Sequence, residues 1–203
     1  MILRPAAWLA GAALLLGTGL HAPPDSGAGT RPVEFDSERV CIHAGVDSVE
    51  IEGFYRFRVG PGAPTVFTIL YPYPDDARLG GARTVRVDAR VGDGPWSPVE
   101  FREVPGMHGS FWSLPTGGGD SLEVRGLYRQ ALRGRYARYI VTSTASWSRP
   151  LRFARFEITL PPGARVLRFS HPFRRPAGRP GGPYVWEARE FLPDRDIEVE
   201  WRR

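Results

Sequence analysis

Histidine is the first residue type to consider for chemistry, because imidazole acts as a general base and as a common metal ligand. His43, His108 and His171 each stand alone, and nothing in their spacing requires a shared metal ion. The G-x-S-x-G, H-E-x-x-H and Walker signatures are absent, as is a G-x-G-x-x-G motif that opens a helix. The sequence therefore predicts no catalytic residue, no cofactor and no metal ligand, and it favours a non-catalytic protein over an enzyme.

Paired carboxylates are the remaining candidates for acid–base chemistry. Asp194 and Asp196 flank Arg195, so local ion pairing is the favoured arrangement for them. Asp93 and Asp120 lie in glycine turns, where aspartate commonly bonds its own backbone. We therefore expect structural roles for Asp194 and Asp196, and a hydrolase with a carboxylate-based site is the less favoured alternative.

Exposed aromatic rings offer a second kind of site, because they can stack on sugar rings. Trp96 follows a glycine-rich turn and Trp147 lies between serines before Pro150, so we expect both tryptophans at the surface. Large aromatic residues in a small β domain are nevertheless more often part of the core. A carbohydrate-binding module is therefore an alternative function, with Trp96 and Trp147 as candidate ligand-binding residues.

A proline- and glycine-rich loop over residues 172–183 carries Arg174, Arg175 and Arg179 and no acidic residue. Clustered arginines can bind an anionic partner, so these three are also candidate ligand-binding residues. The other interpretation is an ordinary hairpin connection in an arginine-biased sequence. The formal net charge of +5 is too small to predict a nucleic-acid partner, and we expect none.

The elements that must position these residues are β-strands, because apolar and polar residues alternate along most of the chain. Residues 49–59 and 83–91 alternate most clearly, and in the second segment Val85, Val87 and Val91 share the apolar face. Further strands are predicted at 39–43, 65–73, 99–104, 110–114, 122–131, 136–144, 151–160, 166–170, 184–191 and 197–201. We therefore expect an all-β fold, a single antiparallel β-sandwich of about ten to twelve strands.

The N-terminus predicts export. Arg4 precedes an apolar run from Ala6 to Leu20, which at about 1.5 Å per residue is shorter than a membrane span. This pattern is typical of a secretory signal peptide, with cleavage expected after Ala22 or Gly19. We expect a secreted or periplasmic protein, attached to a membrane only where the leader stays uncleaved.

The predicted domain organisation follows from that leader. It consists of a signal peptide at 1–22, a flexible spacer at 23–37 and one β-sandwich domain at 38–203. Cys41 is the single cysteine, so an intrachain disulfide is impossible, and we expect this thiol to be a small buried side chain.

Several short motifs resemble those of a family of exported bacterial all-β proteins of unknown function. Residues 139–144 with Trp147 and Pro150 resemble the family's Y-[IL]-x-x-T-x-x-x-W-x-x-P-[IL] stretch, and residues 193–197 are similar to its closing P-x-x-D-[IL] motif. The similarity spans most of residues 45–200. It implies an exported β domain and names no catalytic residue.

The same motifs suggest structural roles. Trp147 with Pro150 is expected to clamp the chain where it passes between sheets, and Asp196 to accept backbone N–H groups where the last strand begins. Ser143-Thr144 departs from the family pattern, in which a glycine is expected near the turn.

The residues and the resemblance together favour an exported, non-catalytic binding or structural accessory domain with an unidentified protein or cell-envelope partner. The competing functions make different structural predictions. A carbohydrate module needs a flat aromatic patch, and an enzyme needs a concave pocket lined by carboxylates. A structural accessory domain would instead show an exposed strand edge or an apolar patch.

Overall fold

The computed structural model describes residues 32–104, 106–147, 149–177 and 181–203. Over these residues the chain contains thirteen β-strands and one short 3₁₀-helix at Thr142–Trp147. The strands are β1 (Val33–Ala44), β2 (Ser48–Val59), β3 (Val66–Pro72), β4 (Leu79–Val91), β5 (Ser97–Pro98), β6 (Phe101–Glu103), β7 (Gly109–Pro115), β8 (Ser121–Leu132), β9 (Tyr136–Tyr139), β10 (Leu151–Thr159), β11 (Arg165–Phe169), β12 (Tyr184–Phe191) and β13 (Ile197–Arg202). No helix in this described part is long and apolar enough to cross a membrane. The expected all-β class is confirmed.

The described strands form three sheets rather than two. The large sheet has seven strands in the order β12-β10-β1-β2-β8-β4-β5, and the two small sheets have the orders β11-β13-β9 and β3-β7-β6. Strand β10 runs parallel to β1, because the chain returns to this sheet by a long crossover. A single antiparallel sandwich is therefore not confirmed.

Side-chain alternation assigns the two faces of the large sheet, as the sequence predicts. On β2 the side chains of Ile51, Tyr55 and Phe57 are buried, whereas Arg56 between them is exposed. Both small sheets pack on the buried face, since Tyr55 contacts residues of β3 and of β9. The core therefore lies between one large sheet and two small ones.

Three local predictions are wrong. The strand expected at 136–144 ends at Tyr139, and the chain then forms the 3₁₀-helix. Val85 is 44% exposed instead of facing the core, because the β4–β8 register shifts between Thr84 and Arg86. Strand β1 begins at Val33, so residues 33–37 belong to the sheet and not to a spacer. The predicted signal peptide and the rest of the spacer lie outside the described residues.

Candidate functional site

Two glycines leave a gap in the inner surface of the large sheet. Gly53 on β2 and Gly126 on β8 are direct cross-strand partners. A Cβ at Gly53 would lie 1.8 Å from the Tyr55 hydroxyl oxygen, and one at Gly126 would lie 2.2 Å from the Trp112 ring. The absence of these side chains therefore makes room for two aromatic rings, one from the large sheet and one from β7.

The Tyr55 hydroxyl is the centre of a buried hydrogen-bond network. It lies 2.8 Å from the hydroxyl of Tyr71 and 3.4 Å from that of Tyr139. Tyr139 donates to Glu38 Oε2 over 3.1 Å. We call Glu38, Tyr55, Tyr71 and Tyr139 the tyrosine network, and all four residues are buried. Because its members come from β1, β2, β3 and β9, the network connects all three sheets.

Glu38 is the carboxyl group of the tyrosine network and is only 2% exposed. Its Oε1 atom has no hydrogen-bond partner among the described residues. Burial raises the pKa of Glu38 to about 8, although the hydrogen bond from Tyr139 lowers that pKa. Burial also raises the pKa of Tyr71 and Tyr139 well above the ordinary tyrosine value. The network is therefore protonated at neutral pH, and it contacts its neighbours as neutral hydroxyl and carboxylic acid groups.

A second group of hydrogen bonds fixes the β3-β7-β6 sheet on the large sheet. Thr84 on β4 of the large sheet donates its backbone N–H to Glu103 Oε1 over 2.6 Å, and its hydroxyl lies 2.8 Å from Ser110 Oγ. The Tyr73 hydroxyl lies 2.9 Å from the same Glu103 oxygen and 3.1 Å from Ser110 Oγ. Trp112 Nε1 donates to the same Ser110 oxygen over 2.7 Å. The Trp112 ring also stacks on Tyr71 with ring centroids 4.2 Å apart, which joins this group to the tyrosine network. The inner face of this small sheet therefore packs in the core, and its outer face and free edge are available for contact with other molecules.

Strand β3 is an edge of its sheet, and its backbone groups alternate between β7 and the free side. Hydrogen bonds at the two ends of β3 show which of its backbone groups face β7. The C=O of Thr65 and the N–H of Tyr73 are bonded on the β7 side, at 3.0 and 2.8 Å. The N–H and C=O groups of Val66, Thr68 and Leu70 therefore point away from β7. No strand among the described residues pairs with them.

The outer face of this small sheet is mostly apolar. The outward positions of β3 and β7 include Val66, Leu70, Phe111 and Pro115, and Val66 is 54% exposed. The guanidinium carbon of Arg102 on β6 lies 5.7 Å from the centre of the Phe111 ring. We call these four apolar residues, together with the free edge at Val66, Thr68 and Leu70, the apolar face.

The outer face of the large sheet has the opposite character. Its arginines pair with carboxylates on neighbouring strands: Arg39–Glu157 at 3.0 Å, Arg58–Glu34 at 3.1 Å, Arg90–Glu123 at 2.6 Å and Arg129–Glu50 at 2.7 Å. These charged groups are already paired with each other, and the arginines are still partly exposed to water, so this face offers few unpaired groups to a partner. The apolar face therefore differs from the large sheet in offering unpaired backbone groups and apolar side chains.

The two candidate tryptophans lie in different environments. Trp96 is 42% exposed at the β4–β5 turn, with the Arg90 guanidinium carbon 5.0 Å from its ring centre. The expected exposure of Trp147 is wrong, because its half-buried ring packs 5.8 Å from Phe35 and 5.6 Å from Phe57. The structure therefore does not unite the two tryptophans in a flat aromatic patch.

The candidate arginines lie at the opposite edge of the large sheet from Trp96. The backbone N–H and C=O of Arg174 bond to Val185 on β12, at 3.0 and 2.8 Å. The Arg175 guanidinium carbon lies 4.4 Å from the centre of the Tyr184 ring. Arg179 lies outside the described residues. Because β12 and β5 are the two edges of the seven-stranded sheet, Trp96 and these arginines cannot form one site.

The closing motif places its two aspartates very differently. Asp194 is exposed and lies 3.5 Å from the Arg195 guanidinium. Asp196 is buried and accepts the backbone N–H of Val141 at 3.2 Å and that of Thr142 at 3.1 Å. Arg138 also donates to Asp196 Oδ2, from Nε at 2.8 Å and from its terminal nitrogen at 2.5 Å. Pro150 is exposed just before β10, three residues after the last residue of the 3₁₀-helix.

The sequence reasoning missed the tyrosine network. The sequence of β1 from Phe35 to Glu38 does not by itself predict which of these side chains face the core. The structure places a bulge between Phe35 and Ser37, so that Glu38 shares the inner face with Val40. Among the described residues, no group of three His, Cys, Asp or Glu side chains could hold a metal ion.

Comparison with known proteins gives a likeness of fold alone. No protein-family model matches the chain, and no curated protein is similar to it in sequence. A candidate nutrient-binding protein of Legionella pneumophila is similar in structure, with a TM-score of 0.53, 13% identity, and coverage of 84% of this chain and 67% of that chain. Yeast LTA4 hydrolase in complex with Bestatin is also similar, with a TM-score of 0.54, 9% identity, and coverage of 87% and 31%. The chain thus spans about two thirds of the first protein and less than a third of the second.

Proposed function

We propose that this chain is an exported, non-catalytic binding domain whose ligand is an extended polypeptide, bound at the apolar face. The observation that carries the proposal is the free edge of β3, where the backbone groups of Val66, Thr68 and Leu70 have no strand beside them. An exposed sheet edge binds extended segments by completing its hydrogen-bond ladder.

The fold likeness is compatible with such a role. In yeast LTA4 hydrolase the matching region is 31% of a longer chain, so this β fold also occurs as one part of a larger polypeptide. The Legionella protein is described as a candidate for nutrient binding. Neither likeness names a ligand for this chain, and the proposal depends on the apolar face. Export is proposed on the N-terminal apolar run described above.

Site-specific photocrosslinking tests the proposal. A photoreactive amino acid is placed at Val66 or at Thr68, both exposed on β3, and at Arg56, which is exposed on the outer face of the large sheet. We expect one defined polypeptide adduct from positions 66 and 68 in the producing organism and none from position 56. The absence of adducts at 66 and 68, or the same adducts at all three positions, would refute a binding role for the apolar face.

A further inference from the structure

We propose that the polypeptide bound at the apolar face is a second copy of this chain, paired through β3 about a two-fold axis at Thr68. This inference rests on the proposed function and names the partner for the same site. It follows from the order of residues along the free edge and from a comparison of the sheet edges.

The free edge of β3 is symmetric about Thr68. Its outward positions are Val66, Thr68, Leu70 and Pro72, and Pro64, two residues before β3, accepts the Thr116 hydroxyl with its C=O. Neither proline has an N–H to donate. If two copies pair antiparallel with Thr68 opposite Thr68, Val66 of each copy lies opposite Leu70 of the other. Every outward N–H from Val66 to Leu70 then meets a C=O, and the flanking residues Pro64 and Pro72 have no N–H that needs a partner. A register shifted by two residues would place Val66 opposite Pro72 or Leu70 opposite Pro64, and the C=O of Val66 or Leu70 would then meet no N–H.

The side chains agree with this register. Val66 and Leu70 point to the outer surface, so the pairing would extend one apolar outer face across both copies. Phe67 and Ile69, which face the core side of β3, would also lie opposite each other across the two-fold axis. No charged residue occurs between Pro64 and Pro74, so no like charges would be opposed at the axis.

The other sheet edges among the described residues are short, charged or covered. β5 has two residues, β6 has three and β9 has four. β11 contains Arg165 and Arg168 and has an irregular register. β12 contains Glu187, Arg189 and Glu190, and Arg174 bonds to part of it. Charged residues and very short strands are two means by which proteins prevent edge pairing, and the seven-residue strand β3 contains no charged residue.

The contact is a short ladder, so the expected dimer is reversible. Three outward residues on each copy exchange backbone hydrogen bonds, which is less contact than a standard permanent interface provides. We therefore expect a monomer–dimer equilibrium that depends on protein concentration.

Disulfide trapping tests the register directly. In a Cys41→Ser background, Thr68→Cys places two cysteines at a hydrogen-bonded antiparallel pair, where the Cα atoms are about 5.5 Å apart and a disulfide is feasible. We expect mild oxidation of purified protein to give a covalent dimer. The control is Ser113→Cys, which is exposed on the same face of the neighbouring strand β7 but lies away from the axis, and we expect it to stay monomeric. Equal trapping of both variants, or trapping of neither, would overturn the inference.

Thr68→Pro provides a second measurement that does not depend on cysteine chemistry. The N–H of Thr68 points to the free side of β3, so a proline at this position removes no hydrogen bond to β7. Proline is also tolerated on strand edges. The variant deletes one donor from each copy, and we expect the dimer dissociation constant from sedimentation to rise at least about tenfold. Thr68→Val keeps the N–H and should leave that constant within about twofold of the wild type. An unchanged constant in Thr68→Pro would contradict the proposed pairing.

The outcomes also separate the inference from the proposed function. If position 68 crosslinks to a different protein and never to a second copy, the second-copy inference is wrong while the polypeptide-binding role stands. If position 68 crosslinks to nothing, both fail.

Discussion

Two buried carboxyl groups, Glu38 and Asp196, have almost the same exposure but opposite surroundings. Glu38 is 2% exposed and Asp196 is 6% exposed. Asp196 receives two bonds from Arg138, backbone bonds from Val141 and Thr142, and a bond from the Thr142 hydroxyl at 2.8 Å. Glu38 receives one bond from the described part of the chain, from Tyr139. The comparison shows that burial alone does not determine the role of an acid in this fold; the number and charge of its donors do.

The difference has a structural consequence. Asp196 holds the start of β13 to the end of β9 and to the first turn of the 3₁₀-helix, and Arg138 balances its charge. No cation among the residues that the structure describes pairs with Glu38, and burial holds it as a neutral acid between the sheets. Replacing Asp196 therefore breaks a charged clamp between these segments. Replacing Glu38 by a residue that cannot ionise instead removes the free-energy cost of a buried ionisable group.

The largest expected effect is that of Asp196→Ala. It leaves Arg138 without its carboxylate and two backbone N–H groups without an acceptor, so we expect the free energy of unfolding to fall by about 3–5 kcal/mol. Urea denaturation followed by tryptophan fluorescence measures this change. Asp196→Asn, which keeps an acceptor oxygen, should lose less.

Asp194→Ala is the matched control, because Asp194 is an exposed neighbour in the same motif. We expect its unfolding free energy to stay within about 0.5 kcal/mol of the wild type. Equal losses in the two alanine variants would show that Asp196 is not the clamp described above.

The second effect is a pH dependence at Glu38. Its pKa is about 8 in the folded protein and near 4.5 in the unfolded chain, so below pH 4.5 the carboxyl is protonated in both states. Between about pH 4.5 and 8 the unfolded chain releases a proton that the folded chain retains, and the unfolding free energy falls by about 1.4 kcal/mol per pH unit. Above pH 8 that loss is complete.

Glu38→Gln removes this titration while keeping an oxygen that can accept from Tyr139. We therefore expect the variant to gain stability over the wild type progressively from pH 5 to pH 8, in urea denaturation at each pH. Glu100→Gln, at an exposed position, should follow the wild-type curve. Parallel curves for Glu38→Gln and the wild type would mean that Glu38 is already ionised in the folded protein.

The smallest effect is expected for Tyr139→Phe, which removes the hydrogen bond to Glu38 and the contact with the Tyr55 hydroxyl. We expect a loss of about 1–2 kcal/mol, because a buried acceptor is left unsatisfied. Thermal unfolding of this variant is compared with that of Tyr184→Phe, a half-buried tyrosine outside the tyrosine network. A larger loss at Tyr184 would contradict the importance assigned to the network.

The contrast also shows how far the sequence could predict the site. Asp196 stands in a short motif that suggested a backbone acceptor, although its partners in strand β9 and in the turn after it lie 54 to 58 residues away in the chain. Glu38 could not be identified, because its inward direction depends on the bulge between Phe35 and Ser37. The tyrosines of the network were visible only as a tyrosine-rich set, since their hydroxyls meet through contacts between residues far apart in the chain. Trp147 was misjudged for the same reason, as its aromatic neighbours come from β1, β2 and β3.

The sequence by itself determined that this chain is all-β and where most of its strands lie, because alternation reports which side of a strand is buried and needs only neighbouring residues. The tertiary structure alone decided that the strands divide among three sheets, that β1 and β10 run parallel, and that β3 keeps a free edge. Those outcomes depend on which distant strands pair, and alternation within a strand carries no information about its partner.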